Sequence, residues 1–418
     1  MRPKRKNPLA APIGRSLRLL NGGYDRLFNP DRTTLIRLAP EGPPRGHVLL
    51  AQVTEGFLHD PEDPALRKHN HFVEGRLLPE VFRDLGYAVD YVSWRNHRFV
   101  PQRDYDLFFA PREFFVPMAA RLNPGCLKIA HLDTTHWLFN NSEALARHRA
   151  LQDRRGVALQ SYKHINANRA IETADAATLL GNADTHASYL YAGKPVFQVP
   201  NPSNALHPAP EGKDIEACRN RFLWLGSAGL VHKGLDLVLE AFAGMPEMHL
   251  TVCGPIAEDR DFADAYRPEL YETPNIRTHG WIDITGPDFT RMASGTLGVV
   301  YPSCAEACCG SVVNVMHAGV IPIVSRQTGI DISPAWGRLL AEDSIPAIQD
   351  AVRALAALPG PQLAAMARQV WEEARATYTA ERYREVLSGA LAQIVAGHPG
   401  TAGFVPMPGA APVPAGAA

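Results

Sequence analysis

The sequence predicts an α/β protein with two parallel-sheet domains in tandem. Three observations carry that reading. Short apolar runs alternate with stretches of helical periodicity along most of the 418 residues. The runs are apolar throughout rather than alternating, which is the pattern of strands covered by helices on both faces. A proline-rich stretch, VPNPSNALHPAPEGKD at 199–214, then splits the series into two sets.

The first set opens with HVLLAQV (47–53), a buried strand. Val73, Leu77, Leu78, Val81, Phe82 and Leu85 recur at helical spacing, and Gly86 stops the helix before the strand AVDYVS. DLFFA (106–110), LKIAH (127–131), ATLLG (177–181) and VFQV (196–199) continue the strands. The second set comprises FLWL (222–225), the helix LDLVLEAF (235–242), MHLTVC (248–253), LGVVY (297–301) and IPIV (321–324). Two amphipathic helices follow, one marked by Leu363, Met366, Val370 and Trp371, the other by Tyr383, Val386, Leu387, Leu391 and Ile394. The expected organisation is a basic arm at 1–44 and domains at 45–205 and 215–378. A helix at 379–395 then crosses back to the first domain, and an Ala/Gly/Pro-rich flexible tail occupies 396–418.

Composition excludes several classes. Lys and Arg total 42 against 43 Asp and Glu, so there is no basic excess for gripping nucleic acid. With 46% apolar and 20% charged residues the chain can bury a large core, which excludes disorder as its main theme. No apolar run reaches the ~18 residues of a membrane span, and the N-terminus lacks the apolar segment of a secretory signal. Six irregularly spaced cysteines argue against a disulfide framework and for a reducing cytoplasm. Residues 1–20 carry six Lys or Arg and no acid. They read as a solvated arm or as an electrostatic contact with the anionic inner face of a membrane.

Two stretches carry chemistry. In FLWLGSAGLVHKGLDLVLEAF (222–242) a strand enters a Gly-containing loop and a Lys-Gly pair opens a helix. Such a loop favours phosphate, with Lys233 adding a full charge, although an ordinary turn with a solvated lysine has the same spacing. In YPSCAEACCGSVVNVMHAGVIPIVS (301–325), Glu306 falls at the carboxyl end of a parallel strand, where open α/β sheets bind ligands. Gly310 and Ser311 start the next helix, and Asn314 lies about two turns beyond Glu306. Cys304, Cys308, Cys309 and His317 match no zinc spacing and read as small buried fillers.

These segments resemble the C-terminal domain of retaining glycosyltransferases of the GT-B fold, specifically family 4. The matching positions are Gly226, the Lys233-Gly234 pair and Glu306, with VCGP (252–255), THGWI (278–282) and IPIV as the neighbouring strands. Ser227 stands where that family carries an arginine, Asn314 where it carries a second glutamate, and its glycine-rich signature is reduced to Ala307-Cys308-Cys309-Gly310. In the first half, LKIAHLDTTHW (127–137) places His131 where the family sets a histidine beside the donor sugar, with His136 as substitute. A strand-end histidine bonded to backbone is the competing account of His131. TEGF (54–57) retains only Gly56 of the family's Gly-rich loop, and RKHNHFVEGRLLPE (67–80) resembles helix starts of members acting on surface polysaccharides.

The resemblance implies a fold of two Rossmann-like domains facing across a cleft. It also implies transfer of a hexosyl-type sugar, with retention and without a metal, from a nucleotide-diphosphate donor to a glycan or lipid-linked hydroxyl. No cofactor and no nucleic-acid partner are expected. Catalytic roles fall to His131, Glu306 and Lys233. Donor contacts fall to Gly226, Ser227, Lys233, Glu306, Gly310, Ser311 and Asn314, and the acceptor side of the cleft to Gly56 and His136. A non-catalytic GT-B-like binding protein and a nucleotide-sugar epimerase are the alternatives.

Overall fold

The structure is a computed structural model that describes residues 30–60, 63, 66, 69–397 and 403–409. The basic stretch 1–20, and with it any membrane contact, lies outside the described residues. Two sheets organise the rest. The first has the order β1 (Leu35–Leu38), β3 (Ala88–Ser93), β2 (His47–Gln52), β4 (Leu107–Pro111), β5 (Leu127–Leu132), β6 (Ala176–Leu180), β7 (Val196–Val199), β14 (Phe404–Val405). Every pairing in it is parallel except β1 with β3. The second has the order β10 (Ile276–Gly280), β9 (His249–Cys253), β8 (Arg221–Leu225), β11 (Gly298–Tyr301), β12 (Ile321–Val324), β13 (Arg338–Leu339), all parallel.

The continuous apolar runs are accounted for by burial on both faces. Val48, Leu49, Leu50 and Ala51 of β2 are consecutive, and all are 0% exposed. Leu50 packs with Leu78 and Phe82 of the helix Asn70–Asp84, while Leu49 joins Phe108 and Phe115 on the opposite face. In the second domain one large cluster gathers Trp224, Leu239, Val299, Val313 and Ile323 from strands and helices alike. The last two long helices divide between the domains. Leu363 and Val370 of Gly360–Thr377 enter the second core, and Tyr383, Leu387 and Leu391 of Ala380–Val395 enter the first.

Three features depart from the sequence reading. Leu35–Leu38, inside the stretch read as a basic arm, forms an antiparallel edge strand that buries Ile36 and Leu38 against the first core. Phe404 and Val405, inside the stretch read as a flexible tail, pair with Val196 and Phe197, and Phe404 stacks on His186 at 5.0 Å. A two-residue strand leaves no periodicity to read, so neither propensity nor pattern marks it.

The third departure positions the site. The helix Trp137–Arg155 starts in the first domain, where the His136 backbone N–H donates to Ser188 Oγ at 3.0 Å, and ends on the second. Leu151 is buried in the second core. Arg154 pairs with Asp236 at 2.7 Å, and Arg155 pairs with Glu269 at 2.6 Å. Arg147 donates to the Pro302 carbonyl at 3.0 Å and to Asp343 at 2.7 Å. Residues 157–163 therefore run along the second domain although they lie between two strands of the first, and Asn166 is already back on Glu113 of the first domain.

Candidate active site in the interdomain cleft

β8 and β11 are adjacent parallel strands, so the loops leaving their carboxyl ends lie side by side. Lys233 sits after the first and Glu306 after the second. Gly234, with φ +73°, caps the helix Leu235–Ala243 in the left-handed region, and a Cβ there would lie 2.4 Å from the Pro302 carbonyl oxygen. Only glycine fits that close approach, which fixes Lys233 against the β11 loop. Lys233 Nζ donates to Glu306 Oε1 at 2.6 Å. His232, fully buried, ties the two loops together: its ring bonds the Ala305 carbonyl, and its own carbonyl accepts from the Cys304 N–H at 2.9 Å.

The second ammonium at this carboxylate comes from the crossing segment. Lys163 Nζ donates to Glu306 Oε2 at 3.1 Å. Burial alone would raise the Glu306 pKa, but the ammonium groups of Lys163 and Lys233 outweigh it and hold the carboxyl well below the usual carboxylate range. Burial would likewise lower Lys233, and Glu306 reverses that, so Lys233 stays charged. Burial, reinforced by the charge of Lys163, pushes His232 down to about 3 and keeps its imidazole neutral. Two cations and one carboxylate thus meet at the floor of the cleft.

The facing wall belongs to the first domain. Arg112, just past β4, pairs with Asp133, just past β5, through two contacts of 2.9 Å. Arg112 has φ 27°, an unfavourable backbone for a residue with a Cβ that costs about 1–3 kcal/mol. A separate cavity of about 430 Å³ is lined by Gly56, Phe72, Val73 and Arg76 of the first domain and by Asn204–His207 and Thr285 opposite. Gly56 permits the contact between its short helix and Asn70–Asp84, since a Cβ would stand 2.0 Å from the Phe72 carbonyl oxygen.

The structure brings together Lys233 and Glu306, with Gly226 and Ser227 earlier in the loop that leads from β8 to Lys233, but it places other expected residues elsewhere. His131 does not face the cleft. It is 0% exposed on β5, its Nδ1 meets Thr178 Oγ1 at 2.8 Å, and its Nε2 lies 2.8 Å from Glu74 Oε1. Glu74 also accepts from Tyr383 at 2.9 Å and Gln52 at 3.2 Å, so His131 belongs to a buried polar knot under the final helix. His136 caps the crossing helix, with Nδ1 accepting from the Leu138 N–H at 3.4 Å and Nε2 near Tyr191 Oη at 3.0 Å.

Asn314 is also engaged by other groups. It is 4% exposed, and its amide joins the domains. Its Nδ2 donates to Asn70 Oδ1 at 2.9 Å, and its Oδ1 accepts from Ser203 Oγ at 2.6 Å and the Asn204 N–H at 3.0 Å. Asn201 donates to the Cys308 carbonyl at 2.9 Å and Thr185 to the Ala307 carbonyl at 2.9 Å. Gly310 and Ser311 open the seven-residue helix Gly310–Met316 under this clasp. Sequence reasoning missed Lys163, Arg112, Asp133 and Asn70, because no Gly-rich signature marks them, although Arg112 opens the helix Arg112–Ala119 directly after β4. Among the described residues no group of three His, Cys, Asp or Glu side chains is placed to hold a metal, and no helix is long and apolar enough to cross a membrane.

Comparison with known proteins places this architecture. The sequence matches no protein-family model and no curated protein. Among solved structures, sucrose-phosphate synthase from Thermosynechococcus elongatus superposes with a TM-score of 0.59 at 14% identity, covering 84% of this chain and 100% of that one. Anabaena HepE in complex with UDP superposes with a TM-score of 0.54 at 12% identity, covering 83% and 99%. TarM of S. aureus is longer: the chain spans 55% of its length, at 13% identity and a TM-score of 0.45. The fold is GT-B, two Rossmann-like α/β domains facing across a cleft.

Proposed function

We propose that this protein is a retaining glycosyltransferase that moves a hexosyl-type sugar from a nucleotide-diphosphate donor to a hydroxyl of a glycan or lipid-linked acceptor. The observation that carries the reading is the Lys233–Glu306 pair, 2.6 Å apart at the carboxyl ends of β8 and β11 on the floor of the cleft. Solved complexes of HepE hold UDP and UDP-glucose, which supports a nucleotide-sugar donor in this fold.

The chemistry follows from the charges. As the bond from the anomeric carbon to the diphosphate oxygen breaks, negative charge grows on that oxygen. Lys233 offsets it from a fixed position without needing reorganisation, so the reading calls for no metal. Glu306, ionised at neutral pH, accepts hydrogen bonds from sugar hydroxyls and orients the ring. The acceptor hydroxyl enters from the Arg112–Asp133 wall, forms the new bond on the face the diphosphate leaves, and passes its proton to the departing phosphate oxygen. The product is a glycoside of retained configuration plus a nucleoside diphosphate. Surface polysaccharide or glycoconjugate synthesis, at the inner face of a membrane, is the setting this reading favours.

The test begins with thermal shift of the full chain against UDP, GDP, ADP, TDP and CMP. Saturation at a hundred times the dissociation constant adds about 2.7 kcal/mol, a readable shift. The corresponding UDP-, GDP-, ADP- or TDP-sugars are then assayed for release of the diphosphate with an acceptor mixture, and the product anomer is read by NMR. Lys233→Ala is expected to lose about a hundredfold or more of turnover. Unchanged turnover in folded Lys233→Ala overturns the reading. A second reading, a non-catalytic donor-binding protein, is favoured by one observation: the Asn314 amide is already spent on Asn70, Ser203 and Asn204. Nucleotide binding without transfer to any acceptor selects it.

A further inference from the structure

Glu306 is approached by two ammonium groups from different segments, Lys233 at 2.6 Å and Lys163 at 3.1 Å. One carboxylate cannot neutralise both, and His232, 3.9 Å away, is neutral. With both lysines protonated, the cluster holds one positive charge beyond balance in a partly buried position. Burial and the Lys233 ammonium together keep Lys163 below the ordinary lysine pKa, with Glu306 restoring only part of the difference. An additional anion is the missing element of this arrangement.

Lys163 is built into place. The helix ahead of it is pinned to the second domain by the Arg147, Arg154 and Arg155 pairs. Its own backbone is held on that helix: Asn140 donates to the Lys163 carbonyl at 3.3 Å. Asn141 accepts from the Ile165 N–H at 3.0 Å and donates to the Ile165 carbonyl at 2.8 Å. The side chain then lies on the β8 loop, where a Cβ on Gly229 would meet the Lys163 Cβ at 3.3 Å. Ahead of Lys233 that loop, Gly226–Val231, carries no Lys or Arg. The crossing segment supplies the charge the loop lacks.

We propose that Lys163 and Lys233 form a two-ammonium clamp for the diphosphate of the donor, and that Glu306 occupies the clamp until the donor arrives. This rests on the glycosyltransferase reading above and assigns the diphosphate a specific second contact. On binding, the phosphate oxygens take the two ammonium groups, and the released carboxylate turns to the sugar hydroxyls. No covalent bond changes in this step. One clamp residue belongs to the β8 loop and the other to the crossing segment, so a diphosphate joins the two.

The experiment uses the full chain, the nucleoside diphosphate among UDP, GDP, ADP and TDP that stabilises it, and the matching nucleoside as control. Calorimetric titration is run on wild type, Lys163→Met and Lys163→Arg. The expected result is diphosphate binding weakened at least about tenfold in Lys163→Met, with nucleoside binding unchanged, and recovered in large part by Lys163→Arg. Equal binding of diphosphate by Lys163→Met and wild type overturns the proposal. Equal weakening for diphosphate and nucleoside also overturns it, since that is what a purely structural lysine would do. Wild type that binds none of the four diphosphates refutes the glycosyltransferase reading itself, an outcome distinct from either.

Discussion

Asn314→Asp separates a domain clasp from a donor ligand, because the two roles respond to the change in opposite ways. The substitution keeps shape and leaves the acceptor oxygen facing Ser203 and Asn204, but it replaces the Nδ2 donor facing Asn70 Oδ1 by an oxygen. Ionised, that oxygen opposes another oxygen at 2.9 Å in a residue only 4% exposed. Protonated, it donates to Asn70 and restores the clasp. The folded state therefore favours the protonated form, and the carboxyl is raised above the ~3.9 of an unfolded aspartate. A raised acid leaves stability intact below the unfolded value and removes it as pH climbs towards the folded value. Each unit costs about 1.4 kcal/mol, so the ceiling at pH 7 is about 4 kcal/mol. For domains of this size that corresponds to a fall of roughly 8–16 °C in melting temperature at most. Scanning calorimetry of wild type and variant at pH 5 and pH 7 should show a deficit that grows with pH. A variant that melts with wild type at both pH values yet no longer binds nucleotide would refute the clasp and return Asn314 to the ribose.

The other predictions concern the groups on either side of that clasp. His131→Ala removes the partner of a buried Glu74 and is expected to destabilise the protein by about 3–5 kcal/mol, lowering the melting temperature while nucleotide affinity of the folded protein holds; an unchanged melt with lost turnover would put His131 back at the sugar. The Glu306 pKa is depressed, so its ion pairs contribute fully from neutral pH down to the ordinary glutamate range of about 4.3 and are lost only below it. Melting curves of wild type and Glu306→Gln should therefore run parallel from pH 8 to 5 and converge only in stronger acid. Convergence already at pH 6 would show a carboxyl titrating in its normal range or above.

Much of the fold is legible because parallel strands buried on both faces print themselves as apolar runs. VFQV and IPIV coincide with β7 and β12, and the helix stripe from Val73 to Leu85 follows the buried face of Asn70–Asp84. β1 is harder to see, since LIRL follows a basic stretch and its partner β3 lies 50 residues on and antiparallel. The site is legible to the extent that it is local. Lys233-Gly234 and Glu306 sit at strand-to-helix junctions, where backbone geometry restricts the residues allowed. Lys163 sits in a segment without regular structure, and only the docking of the preceding helix, through Arg154 to Asp236 and Arg155 to Glu269, brings it to Glu306. His131 departs from its expected cleft-facing position for the converse reason. Its strand position is right, but Glu74, 57 residues earlier, and Tyr383 on the final helix draw it inward, and neither partner is visible from the strand alone.

The two kinds of contact across the cleft have different strengths, and that difference decides which parts move together. The clasp is made of neutral hydrogen bonds: Asn314 donates to Asn70, and Thr185 and Asn201 donate to the Ala307 and Cys308 carbonyls. Each contributes about 0.5–1.5 kcal/mol net, and water replaces it when the domains part. The crossing helix is held by charged pairs, among them Asp236, which is 0% exposed and would be left as an unpaired buried acid if Arg154 withdrew. Breaking a buried pair of that kind costs about 3–5 kcal/mol. Parting of the domains is therefore expected to break the clasp first and to leave the helix, and Lys163 with it, on the second domain. The two lysines would then stay registered on Glu306 while the Arg112–Asp133 wall moves away, and a donor of the proposed kind would meet charges already set.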